Sequence, residues 1–169
     1  PDMSYNVDER LGDDHFNCPV VAYYPQVLKL NIPGLSQTRF LSDFVGLHSK
    51  KQFCRRMQEI LAQYFAPFSK QQVAEYEAYH SAVQQKAQEY LAAAKQEHQP
   101  VVVLCGRPYH VDPEVSHGID KLLCDLGAAV ITEDSLSPFA EKFRAGVRNQ
   151  WTYHARMYAA AKYVAESPV

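Results

Sequence analysis

The side chains best suited to chemistry stand together in one run, Gly106-Arg107-Pro108-Tyr109-His110-Val111-Asp112. Arg107 offers a planar fork of donors for an anion, and His110 exchanges a proton near neutral pH. Tyr109 adds a hydroxyl, and Gly106 lets the backbone approach a ligand closely. A second pair, Glu133 and Asp134, follows the next apolar run, where neighbouring carboxylates are available as acid and base. Gly106, Arg107, Tyr109, His110, Glu133 and Asp134 are therefore the candidate substrate-binding residues, with Arg107 and His110 as candidate catalytic groups. Plainer roles stand beside these. Adjacent carboxylates after a strand are commonly caps or turn residues, and His117 reads as an exposed or locally bonded side chain. The run carries neither GxGxxG nor GxxxxGK[ST], and Asp112 and Glu114 compete with an anion for the helix start that follows.

The four cysteines, Cys18, Cys54, Cys105 and Cys124, are widely spaced and contain no CxxC pair. With no secretion signal ahead of them, a disulfide framework is not expected, and a zinc site closed within the chain has no spacing to support it. Cys54 and Cys124 fall in helical stretches and read as small apolar residues, and Cys105 admits the same reading. Cys18 differs, because Cys18-Pro19 stands at the entrance of an apolar run where a thiolate can be presented to a metal or cluster.

Those residues need elements to hold them. Val101 to Cys105 is a continuous apolar run of the kind a parallel strand covered on both faces shows, and the candidate run is the loop that leaves it. Asp112 caps a helix with Pro113 at its first position and Glu114 in its first turn. Val115, Ile119, Leu122, Leu123 and Leu126 form that helix's apolar face, Gly127 ends it, and Ala128 to Thr132 supplies the next strand. Ligands in open parallel sheets bind beyond the carboxyl ends of the strands, where both candidate groups fall. Ser137-Pro138 starts a further helical stretch. The final helix runs through Glu166 with Trp151, His154, Ala155, Tyr158 and Ala161 or Lys162 along one side.

Ahead of the first strand, Ser49 to Gln52 and Ser69 to Gln72 read as reciprocal capping boxes that open two long helices. Phe68 and Val73 are spaced for a hydrophobic staple, and Val73, Tyr76, His80, Val83, Ala87, Tyr90 and Ala94 form a stripe that must pack on something. Pairing with Phe53, Met57, Ile60 and Tyr64 would make a helical hairpin. Val20 to Tyr24 reads as a short buried strand stopped by Pro25, and residues 1–17 as a polar loop or arm. Pro33-Gly34 marks a turn, and residues 26–47 read as loop with a short helix. The expected fold is α/β, a Rossmann-like three-layer parallel sheet fragment with a long helical hairpin insertion. Its single domain divides into an arm, first strand and loops (1–48), a helical hairpin (49–99) and a strand-helix-strand-helix unit (100–169).

Composition sets the outer limits. A chain of 169 residues suits one domain, and a formal charge of -2 with both signs interspersed leaves no basic stripe for nucleic acid. No run approaches the roughly 20 apolar residues of a membrane span, and no export signal is seen, so a cytoplasmic location is expected. The chain starts at Pro1 and stops at Val169 just after a helical stretch, and reads as cut from something longer.

The run CGRPYHVDPEVSHGIDKLLCDLGAAVITEDS, together with QWTYHARMYAAAKYVA and NCPVVAYYPQVL, resembles the activase-related proteins of the 2-hydroxyacyl-CoA dehydratase system, the CoA-substrate-specific enzyme activase family. The resemblance implies a parent in which an ATP-dependent activase module precedes a dehydratase-like region with iron–sulfur clusters, and places this chain in that second region. ATP then belongs to the separate module. Cys18 resembles one of the cluster cysteines and is the candidate metal ligand. The other expected cysteine motifs fall outside residues 1–169, so the chain alone is expected to be apo. The implied partners are the neighbouring activase and cluster-binding regions and an acyl-CoA or other small molecule. Two functions follow from this resemblance. One is an ATP-coupled iron–sulfur electron-transfer system, a reductase or dehydratase-activase, in which this segment supplies a cluster ligand and a substrate-site loop. The other is a non-catalytic domain that binds CoA or a nucleotide, or only scaffolds.

Overall fold

A computed structural model describes residues 2–65 and 70–167. In chain order the helices and strands are α1 (Pro19–Ala22), α2 (Tyr24–Asn31), α3 (Lys50–Tyr64), α4 (Lys70–Gln96), β1 (Val101–Leu104), α5 (Pro113–Ser116), α6 (Ile119–Asp125), β2 (Ala129–Thr132), α7 (Glu133–Leu136) and α8 (Thr152–Glu166). Short 3₁₀ turns cover Leu35–Gln37 and Pro108–Val111. β1 and β2 pair in parallel, from Val101 opposite Ala129 to Leu104 opposite Thr132. The fold is thus mixed helix and strand around a parallel pair. Among the described residues the sheet is this pair, in place of the expected three-layer sheet. β1 is half-buried along its length, and β2 alternates buried and half-buried, so neither strand is covered on both faces.

The run Val20 to Tyr24 is not a strand. It forms α1 and the start of α2, and Val20 is 62% exposed. Pro19 and Pro25 explain the difference. Each sits in the first turn of a helix, where its fixed φ is already helical and its missing N–H costs nothing, whereas in a sheet each would remove a ladder bond. Cys18 becomes the N-cap residue of α1 and is half-buried.

Ser49 caps α3 as its sequence predicts, accepting from the Gln52 N–H at 3.4 Å. Ser69 and Phe68 lie outside the described residues, as does the staple they would complete. Along α4 the stripe is covered unevenly, and Tyr90 in its second half is 42% exposed. Ala87 and Ala94 are buried, whereas Tyr76 and Tyr79 are exposed and flank His80, with the Tyr76 and His80 ring centroids 4.4 Å apart. The helix packs on β2 and α7, and Lys50 of α3 reaches Glu77 of α4 at 2.6 Å. α3 is otherwise tied to the segment ahead of it, through Arg56 to Asp43 and to the Phe44 carbonyl, and through Arg39 over the Tyr64 ring.

The helix expected from Pro113 to Leu126 is two helices. Asp112 does cap its start, accepting from the Glu114 N–H at 2.9 Å. His117 and Gly118 then take φ of 52° and 75°, a left-handed pair that ends α5 and starts α6 in a new direction. The Ser137-Pro138 helix is absent as well. Residues beyond α7 run without regular structure up to α8, and at the end of that segment Asn149 and Gln150 bond to the N-terminal arm. Asp13 N–H donates to the Asn149 carbonyl at 2.7 Å, and Asn149 N–H donates to the Asp13 carboxylate at 2.8 Å.

That exchange belongs to a clasp between the arm and the C-terminal segment. Glu9 pairs with Arg156, Asp13 with Lys142 at 2.5 Å, and Asp14 with Arg148 at 2.6 Å. Phe16 bridges Trp151, and buried Asn6 donates to Asn17 at 3.0 Å. Beneath the clasp the core gathers in two clusters, Leu11 with Ala155 and Ala159, and Ile131 with Leu136 and Ala160. The buried face of α8 is therefore Thr152, Ala155, Ala159 and Ala160, a small-residue face that shares Ala155 with the expected side but leaves Tyr158 of that side exposed. Among the described residues no helix is long and apolar enough to cross a membrane.

Candidate functional site

The carboxyl ends of β1 and β2 lie side by side because their registers match, Leu104 with Thr132. Gly106 follows β1 after one residue and Glu133 follows β2 directly, so the two turns meet. Gly106 N–H donates to Glu133 Oε2 at 3.4 Å. Glu133 is only 5% exposed, whereas Asp134 is exposed and accepts from the Thr132 hydroxyl. The two carboxylates that looked equivalent in sequence therefore have different surroundings. Burial raises the Glu133 pKa above the ordinary glutamate range, and the Asp134 charge adds to the rise. Hydrogen bonds from its own N–H and from Gly106, and the Arg156 charge, oppose it. Glu133 is consequently a buried brace between strand ends that can hold a proton, and Asp134 is the carboxylate open to a ligand.

Local sequence explains the loop. Arg107 is extended, and Pro108, with its preset φ, opens a single 3₁₀ turn to Val111. The turn is closed reciprocally. Arg107 N–H donates to His110 Nδ1 at 2.8 Å, and His110 N–H donates to the Arg107 carbonyl at 2.8 Å. An Nδ1 that accepts a hydrogen bond leaves the neutral ring's proton on Nε2, which fixes His110 as a donor through that atom. Gly106 is required by the same ring. A Cβ there would stand 2.4 Å from His110 Nδ1. Tyr109 and His110 pack edge to face with centroids 4.4 Å apart, and both are exposed. Arg107 is half-buried, and among the described residues no carboxylate forms an ion pair with it. Among the described residues the strand-end loop thus carries two donors without a side-chain partner, the Arg107 guanidinium and His110 Nε2, together with the Tyr109 hydroxyl.

Cys105 lies beside this loop with its thiol pKa raised, first by desolvation and then by the Glu133 charge. The group stays a thiol at neutral pH, the wrong state for a nucleophile or a metal ligand. Arg156 is a neighbour that the sequence did not single out. Burial works against its charge, but the hydrogen bond and charge of Glu9 outweigh burial and hold its pKa up. The signal was an arginine within the small-residue run of α8, where close helix packing leaves a long side chain little room without a partner.

An iron–sulfur cluster held by this chain alone does not fit. Such clusters take several thiolates, and the four cysteines are dispersed over the N-cap of α1, the middle of α3, the end of β1 and α6. Among the described residues no three His, Cys, Asp or Glu side chains come together as a metal site.

Residues 1–136 match the family model described as the CoA enzyme activase uncharacterised domain. No curated protein and no solved structure matches the chain.

Proposed function

Because the chain belongs to the CoA enzyme activase domain family, we propose that the strand-end crevice recognises the anionic, phosphate-bearing part of a CoA-type substrate. The observation that supports this reading is the closed Arg107–His110 turn, which is braced by Glu133 through Gly106 and leaves a guanidinium and an imidazole Nε2–H free for an anion. Arg107 supplies bidentate hydrogen bonds to a phosphate or carboxylate, and Tyr109 and Asp134 contact polar groups around it. His110 donates a hydrogen bond from Nε2, and in a reaction would stabilise negative charge developing on the substrate from that atom. The α5 start contributes nothing to anion binding, since Asp112 already occupies it.

In the larger electron-transfer system, Cys18 would offer a single thiolate to a cluster completed by ligands from neighbouring cluster-binding regions, and ATP would act in a separate activase module. Neither enters the recognition step. A second reading, a domain that binds CoA or a nucleotide without catalysis, draws support from Cys105 and Glu133, which are held protonated or buried beside the crevice.

Calorimetric titration of CoA into this chain tests the reading. Binding is expected to weaken by about tenfold or more in Arg107→Ala, the loss of one charge-assisted pair, and to survive Cys18→Ala. Equal affinity in wild type and Arg107→Ala would refute it. Turnover by the full parent separates the two readings. Loss in His110→Ala with substrate binding retained assigns catalysis, whereas unchanged turnover leaves binding alone.

A further inference from the structure

An open cavity of about 490 Å³ lies against the C-terminal halves of the paired strands, walled by Ala87 and Tyr90 of α4, Leu104 of β1 and Val130 of β2. Small-molecule sites occupy roughly 300–1,000 Å³ and combine apolar walls with a few convergent polar groups. This cavity has that composition. Val111, at the end of the candidate loop, forms part of its edge, but among the described residues Gly106, Arg107, Tyr109 and His110 do not line it, so it is separate from the anion-binding donors.

Its polar groups are Asp120, Lys86 and the hydroxyls of Thr132 and Ser135. The hydroxyls are 3.3 Å apart, and Thr132 already donates to Asp134. Lys86 Nζ stands 3.1 Å from Glu89, whereas among the described residues no cation forms an ion pair with Asp120. Asp120 complements the N-terminal end of α6, a role that leaves its oxygens free to accept. The cavity wall thus carries, among the described residues, one carboxylate without an ion-pair partner, while its lysine is already engaged by Glu89.

We propose that this cavity binds a small amphipathic amine. Its aliphatic or aromatic body lies against Ala87, Tyr90, Leu104 and Val130, and its ammonium group donates to Asp120 and the Ser135 hydroxyl. Charge complementarity selects a cation over an anion of the same shape.

Cys124 lines the same cavity and serves as a reporter. The rate of iodoacetamide alkylation at each cysteine is measured by peptide mass spectrometry while phenethylamine, or the similarly shaped anion 3-phenylpropionate, is titrated into the chain. Phenethylamine is expected to slow Cys124 alkylation saturably and leave Cys18 and Cys105 unchanged, with 3-phenylpropionate inactive. Asp120→Asn, a near-isosteric change at a half-buried position checked for unaltered circular dichroism, is expected to raise the half-protecting concentration about tenfold. Equal protection by both probes, protection by the anion alone, uniform slowing of every cysteine, or no protection at Cys124 each overturns the proposal. So does an Asp120→Asn chain that is folded and protected as well as wild type.

Discussion

The clasped base of the molecule and the α5–α6 edge are opposites in construction. At the base, an arm with no regular structure supplies Leu11 and three acidic side chains, which meet α8 and the segment before it, and the residues beneath are fully buried. At the edge, two helices with a well-marked start and a clear apolar stripe leave Ile119, Leu122 and Leu126 exposed, Leu126 by 75%. Regular structure and core contribution are therefore separate properties in this domain. The candidate loop leaves β1, is tied to the start of α7 by the Gly106–Glu133 hydrogen bond, and leads on into the α5–α6 edge.

The contrast is broken most severely at Leu136, which is 0% exposed and packs with Ile131 and Ala160. Leu136→Ala is expected to cost about 2–5 kcal/mol in urea unfolding, as large-to-small changes in a tight core do. Next comes the clasp itself. Glu9→Gln leaves the Arg156 guanidinium, with its side chain only 15% exposed, short of its charged partner. A loss of about 2 kcal/mol follows, below that of a fully buried pair.

Gly106→Ala should matter less for stability and more for the site. The added methyl displaces the His110 ring and breaks its bond to the Arg107 N–H, at about 1 kcal/mol. The ring's NMR chemical shifts would move while the far core shifts stay in place. At the bottom of the scale, Leu122→Ser on the exposed stripe is expected to change stability by under about 0.5 kcal/mol.

The clasp and the strand-end site also differ in the sign of their pH dependence. Asp13, in the clasp, has its pKa lowered first by its hydrogen bond with Lys142, so its contribution is present above the ordinary aspartate range and is lost as pH falls through the folded value. Glu133 has its pKa raised by burial, so its contribution is intact below the ordinary glutamate range and is lost as pH rises through the folded value. Urea titrations across pH should show Asp13→Asn removing part of the acid-side loss, and Glu133→Gln removing part of the loss on the other side. A Glu133→Gln curve parallel to wild type would contradict the buried, proton-holding role.

The parts of the fold written in local chemistry were legible. Asp112-Pro113, Ser49 and the two valine-rich runs each carry their instruction within a few residues, and each element forms as those residues dictate. The failures share another cause. Val20 to Tyr24 lacks a strand to pair with, and its prolines then favour helix. The segment after Ser137 is held by an arm more than 120 residues earlier in the chain, a partner that no local pattern announces. In the site, the loop residues were visible because their types are unusual together. The inequality of Glu133 and Asp134 was not visible, because it arises from the turn that places one under Gly106 and the other in solvent.

Amide hydrogen exchange on the intact chain, with and without CoA, tests the central claim most directly. The account predicts slow exchange across residues 129–136 and 152–163, fast exchange across 113–126, and CoA-dependent slowing confined to 106–112 and the 133–135 turn that meets that loop. Slow exchange along 113–126 with a labile 152–163, or slowing by CoA anywhere but the loop and that turn, would contradict it.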